Sequence, residues 1–319
     1  MIKKPVFAIS LLLPLSRTLY RAVSGCILFS FLASPWAWAG LDEGVQAYNK
    51  GDYTVALHEL LPLAEQGNAN AQYNLGVMYA EGKGVPQDDA EAVKWFHLAS
   101  LQSNANAQFN LGQMHRLGKG VPKNDTEAVK WYRLAADQGN ARAQFHLGNM
   151  YHEGKGVPQD YAEGIRWYRL AAGQGDSLAQ LFLGFIYNRG NGVPQDFAEA
   201  IKWYRLAAEQ GESVAQYNLG LMYYRGNGVP LDYTEAAKWY RLASEQGNAN
   251  AQFNLGGMYY KGLGVAQSDT DAYKWFILAA AQGNKSASLL MASVANTMSP
   301  NQIVVAQEAA KAWGEKHSR

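Results

Sequence analysis

From Asn68 to Gly283 the apolar and polar positions of the chain repeat without slippage. Tryptophans at Trp95, Trp131, Trp167, Trp203, Trp239 and Trp275 step by 36 residues, and so do the Ala-Gln pairs beginning at Ala71, Ala107, Ala143, Ala179, Ala215 and Ala251. A fixed period of that length marks a stack of small supersecondary units and excludes two independent domains. In the first unit Ala71, Leu75, Met78 and Tyr79 fall at i, i+4, i+7 and i+8, the buried stripe of a helix. Ala92, Trp95, Phe96 and Ala99 mark the inward face of a second helix. Six two-helix units are therefore predicted, with connections short enough to set successive helices antiparallel.

The connecting stretch "EGKGVPQD" has the chemistry of a stop followed by a start. Gly82 and Gly84 can take positive φ after a helix end. Pro86 prevents the first helix from continuing. Asp88 is a good N-cap, and Glu91 three residues later predicts a capping box. The other copies carry Asn124, Asp160, Asp196, Asp232 and Ser268 at the Asp88 position, all capping residues. Glu91 and Lys94 predict an exposed i, i+3 pair. Gly76 recurs in every copy although a mid-helix glycine costs about 1 kcal/mol against alanine, which predicts close approach by a neighbouring helix.

The ends depart from the pattern. Residues 40–67 read as a tighter helical hairpin lacking the GxGVP loop, with Pro62 expected to kink its second helix. Residues 68–283 hold the six units, and residues 284–319 read as a final helix pair that caps the stack. Residues 1–39 read as an export signal: Lys3, Lys4, Arg17 and Arg21 without an acid, an apolar run, and "AWA" before an expected cleavage after Ala39. The alternative is an N-terminal anchor in the inner membrane. Cleavage removes the single cysteine, Cys26, so the body must hold together by packing alone.

Hydrophobic content of 48% suits a globular core. Net charge is +1 for the whole chain, and removing the four leader cations leaves 24 basic against 27 acidic residues, a net of −3. That balance offers nothing to a nucleic acid.

The stretch "AQYNLGVMYAEGKGVPQDDAEAVKWFHLA" and its five copies resemble the Sel-like repeat family, relatives of the tetratricopeptide repeats, over essentially the whole body of the chain. The resemblance implies an all-α fold, a right-handed α/α superhelix (solenoid) of helix-turn-helix repeats whose first helices line the concave face. It also implies an adaptor or scaffold role, often in the bacterial envelope. A cysteine-rich secreted branch of the family, linked to penicillin binding, is a poor template because a cleaved chain lacks those cysteines.

Reactive chemistry finds little support. The six histidines form no HExxH or Cys/His cluster, so no metal is expected. No GKS/T, GxGxxG, G-x-S-x-G or S-x-x-K stretch is present, so neither cofactor nor catalytic nucleophile is expected. The recurrent Trp-Tyr-Arg triplet reads as a buried Trp beside a solvated Arg. Positions equal in all copies serve the stack, and variable positions are free for a partner. On the first helices the variable positions form one stripe, and the candidate partner-binding residues lie there: Arg142, His146 and Asn149; Leu178, Phe182, Phe185 and Arg189; Leu221 and Arg225. Phe182 and Phe185 beside arginines have the composition of a binding hot spot, and the rival reading buries them as local packing. The expected role is an exported, periplasmic or secreted scaffold for protein or peptide partners, not an enzyme. A cell-envelope glycan held by Tyr223, Tyr224, Tyr259 and Tyr260 is the alternative, and a β-lactam or cell-wall hydrolase is a third reading without a nucleophile to support it.

Overall fold

A computed structural model describes residues 35–317, with side chains from residue 40 onward; the expected leader lies almost wholly outside the described residues. Among those residues the chain is sixteen helices and no strand. Helices α1 (Pro35–Lys50) and α2 (Tyr53–Glu65) make the first hairpin, and the expected cleavage point falls within the first turns of α1. Six near-identical hairpins follow: α3 (Ala69–Glu81) with α4 (Asp89–Ser100), α5 (Ala105–Leu117) with α6 (Asp125–Asp137), and α7 (Ala141–Glu153) with α8 (Tyr161–Gly173). The series continues with α9 (Ser177–Arg189) and α10 (Phe197–Glu209), α11 (Ser213–Arg225) and α12 (Tyr233–Glu245), and α13 (Ala249–Lys261) and α14 (Asp269–Ala281). Helices α15 (Lys285–Ala295) and α16 (Pro300–His317) end the stack, with α16 packed on α14. Helix α2 is continuous through Pro62.

The local chemistry of each hairpin follows from its sequence. Gly82, at φ +68°, closes α3 in the left-handed region, and the equivalent glycine closes every other first helix of the six repeats. Asp88 Oδ1 then accepts from the Ala90 and Glu91 amides at 2.9 and 3.0 Å. The reciprocal half of the expected capping box is absent. The Asp88 N–H donates instead to the Tyr79 carbonyl, 3.0 Å away, because the left-handed turn swings the cap back over the end of the first helix. Glu91 is thereby released to pair with Lys94 at 2.6 Å on the outer surface. In the remaining repeats the cap's N–H donates to the same first-helix carbonyl and its side chain accepts from the residue three on, down to Ser268 and Asp271, and the outer acid–base pair recurs in repeats two to five.

Within each hairpin one aromatic ring fits a hole made by one glycine. An added Cβ at Gly76 would lie 2.6 Å from the Phe96 ring, and at Gly184 only 2.4 Å from the Tyr204 ring. Gly112, Gly148, Gly220 and Gly256 face Tyr132, Tyr168, Tyr240 and Phe276 in the same way. These six rings are essentially inaccessible to solvent. The residue that plugs the hairpin is thus the one after the tryptophan. Trp167 and Trp275 are buried, but the other four repeat tryptophans are only partly so, which corrects the expectation of a buried Trp. Their register explains it: Trp95, Trp131, Trp167 and Trp275 join the core layer that the preceding second helix forms with their own first helix, at the seam between repeats rather than in the glycine hole of the hairpin.

Three further contacts tie repeat to repeat. The second glycine of each loop presses on the start of the previous second helix, and a Cβ at Gly120 would come 2.2 Å from the Asp89 carbonyl oxygen. The arginine of the Trp-Tyr-Arg triplet, expected to be solvated, donates to a tyrosine of the next first helix: Arg133 to Tyr151, Arg169 to Tyr187, and Arg205 to Tyr223 and Arg241 to Tyr259 at 2.6 Å. The invariant glutamine forms a buried ladder. Gln180 Nε2 donates to the Ala172 carbonyl at 3.2 Å, and Gln180 Oε1 accepts from Gln210 Nε2 at 2.7 Å. The same Gln–Gln bond recurs in all six repeats, from Gln72–Gln102 to Gln252–Gln282. Buried amides satisfied in this way hold the stack in one register, because a slip would leave each of them unpaired.

Candidate partner-binding face

The first helices form one side of the stack, where they touch one another directly. Asn104 Nδ2 donates to Asn70 Oδ1 and Asn140 Nδ2 to Asn106 Oδ1, each at 3.0 Å, and the Phe145 and Phe182 rings meet edge to face at 5.4 Å. All nine candidate residues lie on three of these helices, α7, α9 and α11.

Their roles differ. Arg142 is exposed. His146 is half-buried, stacked on Tyr132 with ring centroids 5.4 Å apart, and its Nε2 lies 3.2 Å from the Gln113 amide nitrogen. Burial, assisted by the charges of Arg116 and Arg142, lowers its pKa to about 4, so the imidazole is neutral at pH 7 and its Nε2 can accept from Gln113. Asn149 Oδ1 accepts from the Tyr168 hydroxyl at 2.6 Å. These two side chains are engaged inside the stack.

Leu178 is 43% exposed at the start of α9. Phe182 and Phe185 are half-buried. Phe182 packs on Phe145 and Tyr168, Phe185 meets the Tyr204 ring at 5.6 Å, and the Arg189 guanidinium lies 5.8 Å from the Phe185 centroid. Both residues pack against the core and remain partly exposed. Leu221 is half-buried and Arg225 exposed on the next first helix.

One pairing escaped the sequence reading. The stripe position of Val77, Gln113, Asn149, Phe185, Leu221 and Gly257 sits over the aromatic plug of the same hairpin. Gln113 and Asn149 accept from the Tyr132 and Tyr168 hydroxyls at 2.8 and 2.6 Å. Where the plug is Phe96 or Phe276, the stripe residue is Val77 or Gly257. In the fourth and fifth repeats the plugs are Tyr204 and Tyr240 under the apolar Phe185 and Leu221, so neither hydroxyl is met by its own stripe residue; that of Tyr204 has no hydrogen-bond partner, and that of Tyr240 has Asn254 of the next first helix beside it. Desolvation raises the pKa of both phenols. The signal was present in the sequence as covariation within one chain, polar with Tyr and apolar with Phe, broken in these two repeats.

The tyrosines proposed for a glycan groove divide. Tyr224 and Tyr260 line a cavity between α11 and α13, whereas Tyr223 and Tyr259 point to the junction with the preceding second helix and take hydrogen bonds from Arg205 and Arg241. Among the described residues no group of three or more His, Cys, Asp or Glu side chains is arranged to hold a metal ion, and no helix is long and apolar enough to cross a membrane.

A stack of antiparallel helical hairpins, registered by a glutamine ladder and presenting one face of first helices, defines an α-solenoid. The chain belongs to the Sel1 repeat family: the repeat pattern matches residues 69–104, 105–140, 141–176, 177–212, 213–248 and 249–284. Among solved structures it is similar to c5321, a protective antigen present in uropathogenic Escherichia coli strains that displays an SLR fold, with 38% identity over 88% of this chain and a TM-score of 0.78. The chain spans 61% of that protein's length. It is also similar to a Sel1 repeat protein from Oxalobacter formigenes, with 36% identity, 75% of this chain and 96% of that one covered, and a TM-score of 0.67. No curated protein matches the chain in sequence. Sel1 repeat solenoids are commonly protein-interaction scaffolds.

Proposed function

We propose that the protein is an exported, non-enzymatic scaffold that binds a protein or peptide partner on its first-helix face, the concave side expected for such a solenoid. The observation that carries this reading is the grouping on α9 of exposed Leu178, partly exposed Phe182 and Phe185, and Arg189 beside them. Aromatic rings rooted in the core lose little rotamer freedom on binding, and with arginine they are the residues in which binding energy concentrates. The unsatisfied hydroxyl of Tyr204 beneath Phe185 fits a site where the repeat's own packing rule has been relaxed. Site-specific photocrosslinking in cells tests the face. A photoreactive residue at Leu178 or Arg225 should trap a discrete partner, and one at Leu206, equally exposed on α10, should not. Adducts from Leu206 alone would place the partner on the other side.

Export is tested separately by N-terminal sequencing of protein from fractionated cells. Gly40 is expected as the first residue, in the periplasm or the medium. A chain beginning at its original methionine in the cytoplasm would refute export and leave the binding proposal standing.

A further inference from the structure

Toward the end of the stack the C-terminal ends of the first helices carry cations and no acids. Helices α9, α11, α13 and α15 contain no aspartate or glutamate, and Arg189, Arg225 and Lys261 end the first three of them. The corresponding positions of two earlier repeats hold Glu81 and Glu153, which pair with Lys83 and Lys155. Arg225 and Lys261 have no carboxylate partner among the described residues.

Between α11 and α13 this face opens into a cavity of about 350 Å³. Tyr217, Tyr224 and Phe253 give it aromatic walls, Asn254 adds an amide, and Arg225 and Lys261 supply two cations. The cavity owes its depth to Gly257. Every other repeat has a side chain at this position, but a Cβ added to Gly257 would meet nothing within 4 Å. The neighbouring Gly256 is different, since a Cβ there would press on the Phe276 ring at 2.8 Å. Helix propensity disfavours Gly257 and no packing contact requires it. An empty volume, an unrequired glycine and two cations without a carboxylate partner therefore converge at one place.

We propose that this cavity seats one large apolar side chain of an acidic peptide segment, whose adjacent carboxylate is held by Arg225 and Lys261. The inference rests on the reading of the first-helix face as a partner surface and adds the chemistry of the partner. An apolar cavity of about 150 Å³ already holds a benzene molecule, so this one accommodates a large side chain together with part of its backbone. A carboxylate on Arg225 makes a charge-assisted bond, whereas a neutral occupant leaves both cations unmatched.

The test is selection from a random short-peptide phage library on the full chain, followed by fluorescence anisotropy of labelled synthetic versions of the enriched peptides. Enriched peptides should place Asp or Glu next to Phe, Tyr, Trp or Leu. Their affinity should fall by about tenfold or more, the scale of one lost charge-assisted pair, in both Gly257→Gln and the double variant Arg225→Gln/Lys261→Gln. Gly257→Gln installs the residue of the second repeat and should keep or raise the melting temperature, so loss of binding is separable from loss of fold. Enriched peptides that are neutral or basic, or that ignore Gly257→Gln, overturn the inference and leave the partner surface intact. A labelled oligouronate that binds the wild type and is lost in Gly257→Gln, with no peptide enriched, makes the occupant an acidic glycan and overturns it as well. No enrichment of any peptide, with no glycan binding, counts against the partner surface itself.

Discussion

Ser103 holds φ at +61° where the equivalent residue of the other hairpins is glycine at φ +83° to +96°. An L-residue in that region costs about 1–2 kcal/mol. Ser103→Gly should therefore stabilise the protein by about 1 kcal/mol, read as a higher urea midpoint; an unchanged midpoint would mean the serine side chain compensates. His146 offers a pH-dependent test. Its folded pKa, about 4, lies below the unfolded value near 6.5, so the unfolded chain binds the proton first. The stability it contributes is intact above pH 6.5 and is lost as pH falls from there toward 4, on the order of 2–3 kcal/mol. His146→Asn, the residue used by four of the other repeats, should flatten the difference between urea midpoints at pH 4.5 and pH 7.5 relative to the wild type. The carboxylates lowered by their lysine or arginine partners, such as Glu127 and Glu163, titrate alike in both proteins and cancel. The plug hydroxyls predict a contrast of sign. Tyr132→Phe removes the bond to Gln113 and should destabilise by about 0.5–1.5 kcal/mol, whereas Tyr204→Phe removes an unsatisfied buried group and should be neutral or stabilising.

At the scale of the element, each hairpin is assembled from local rules and locked to its neighbour by a few non-local ones. The helices, their N-caps and the left-handed glycine turns follow from interactions a few residues apart, and they are legible in "EGKGVPQD" and its copies. The capping box was half legible: Asp88 caps, but its own N–H was already committed to Tyr79 by a turn whose path the sequence does not state. The glutamine ladder gives the sharpest element-level prediction. Gln180→Ala removes two hydrogen bonds, to the Ala172 carbonyl and from the Gln210 amide, and at about 0.5–1.5 kcal/mol each should cost about 1–3 kcal/mol. Gln195→Ala, whose side chain bonds the Asn188 carbonyl at the surface, should stay within about 0.5 kcal/mol. Equal losses at the two sites would remove the ladder's claim to set register.

For the whole molecule, nearest-neighbour stacking makes the repeat the unit of deletion. Removing residues 177–212 in frame brings Ser213 behind Asp176, which caps α9 and can cap α11, where Glu212 makes no side-chain cap bond. The shortened protein should fold cooperatively with a proportionally smaller denaturant m-value, and it should lose the partner that requires Phe182 and Phe185. Removing a single helix instead reverses the chain direction in every later hairpin and should abolish the cooperative transition.

The sequence by itself determined the period, the two helices per repeat, the turns and the caps, because these depend on contacts within one or two helical turns and were written six times over. It also located the variable stripe. Only the tertiary structure decided which aromatic fills each hairpin, since Trp95 and Phe96 are both compatible with an apolar face and packing sends one into the Gly76 hole and the other to the seam with the preceding repeat. The same holds for the glutamines joined across 30 residues, the arginines that reach tyrosines 18 residues on, and the division of the stripe into residues used internally and residues left open. The cavity at Gly257 is the furthest from view in the sequence. A glycine there looks like one more small residue until the ring that presses on Gly256, and the empty space beside Gly257, are seen together.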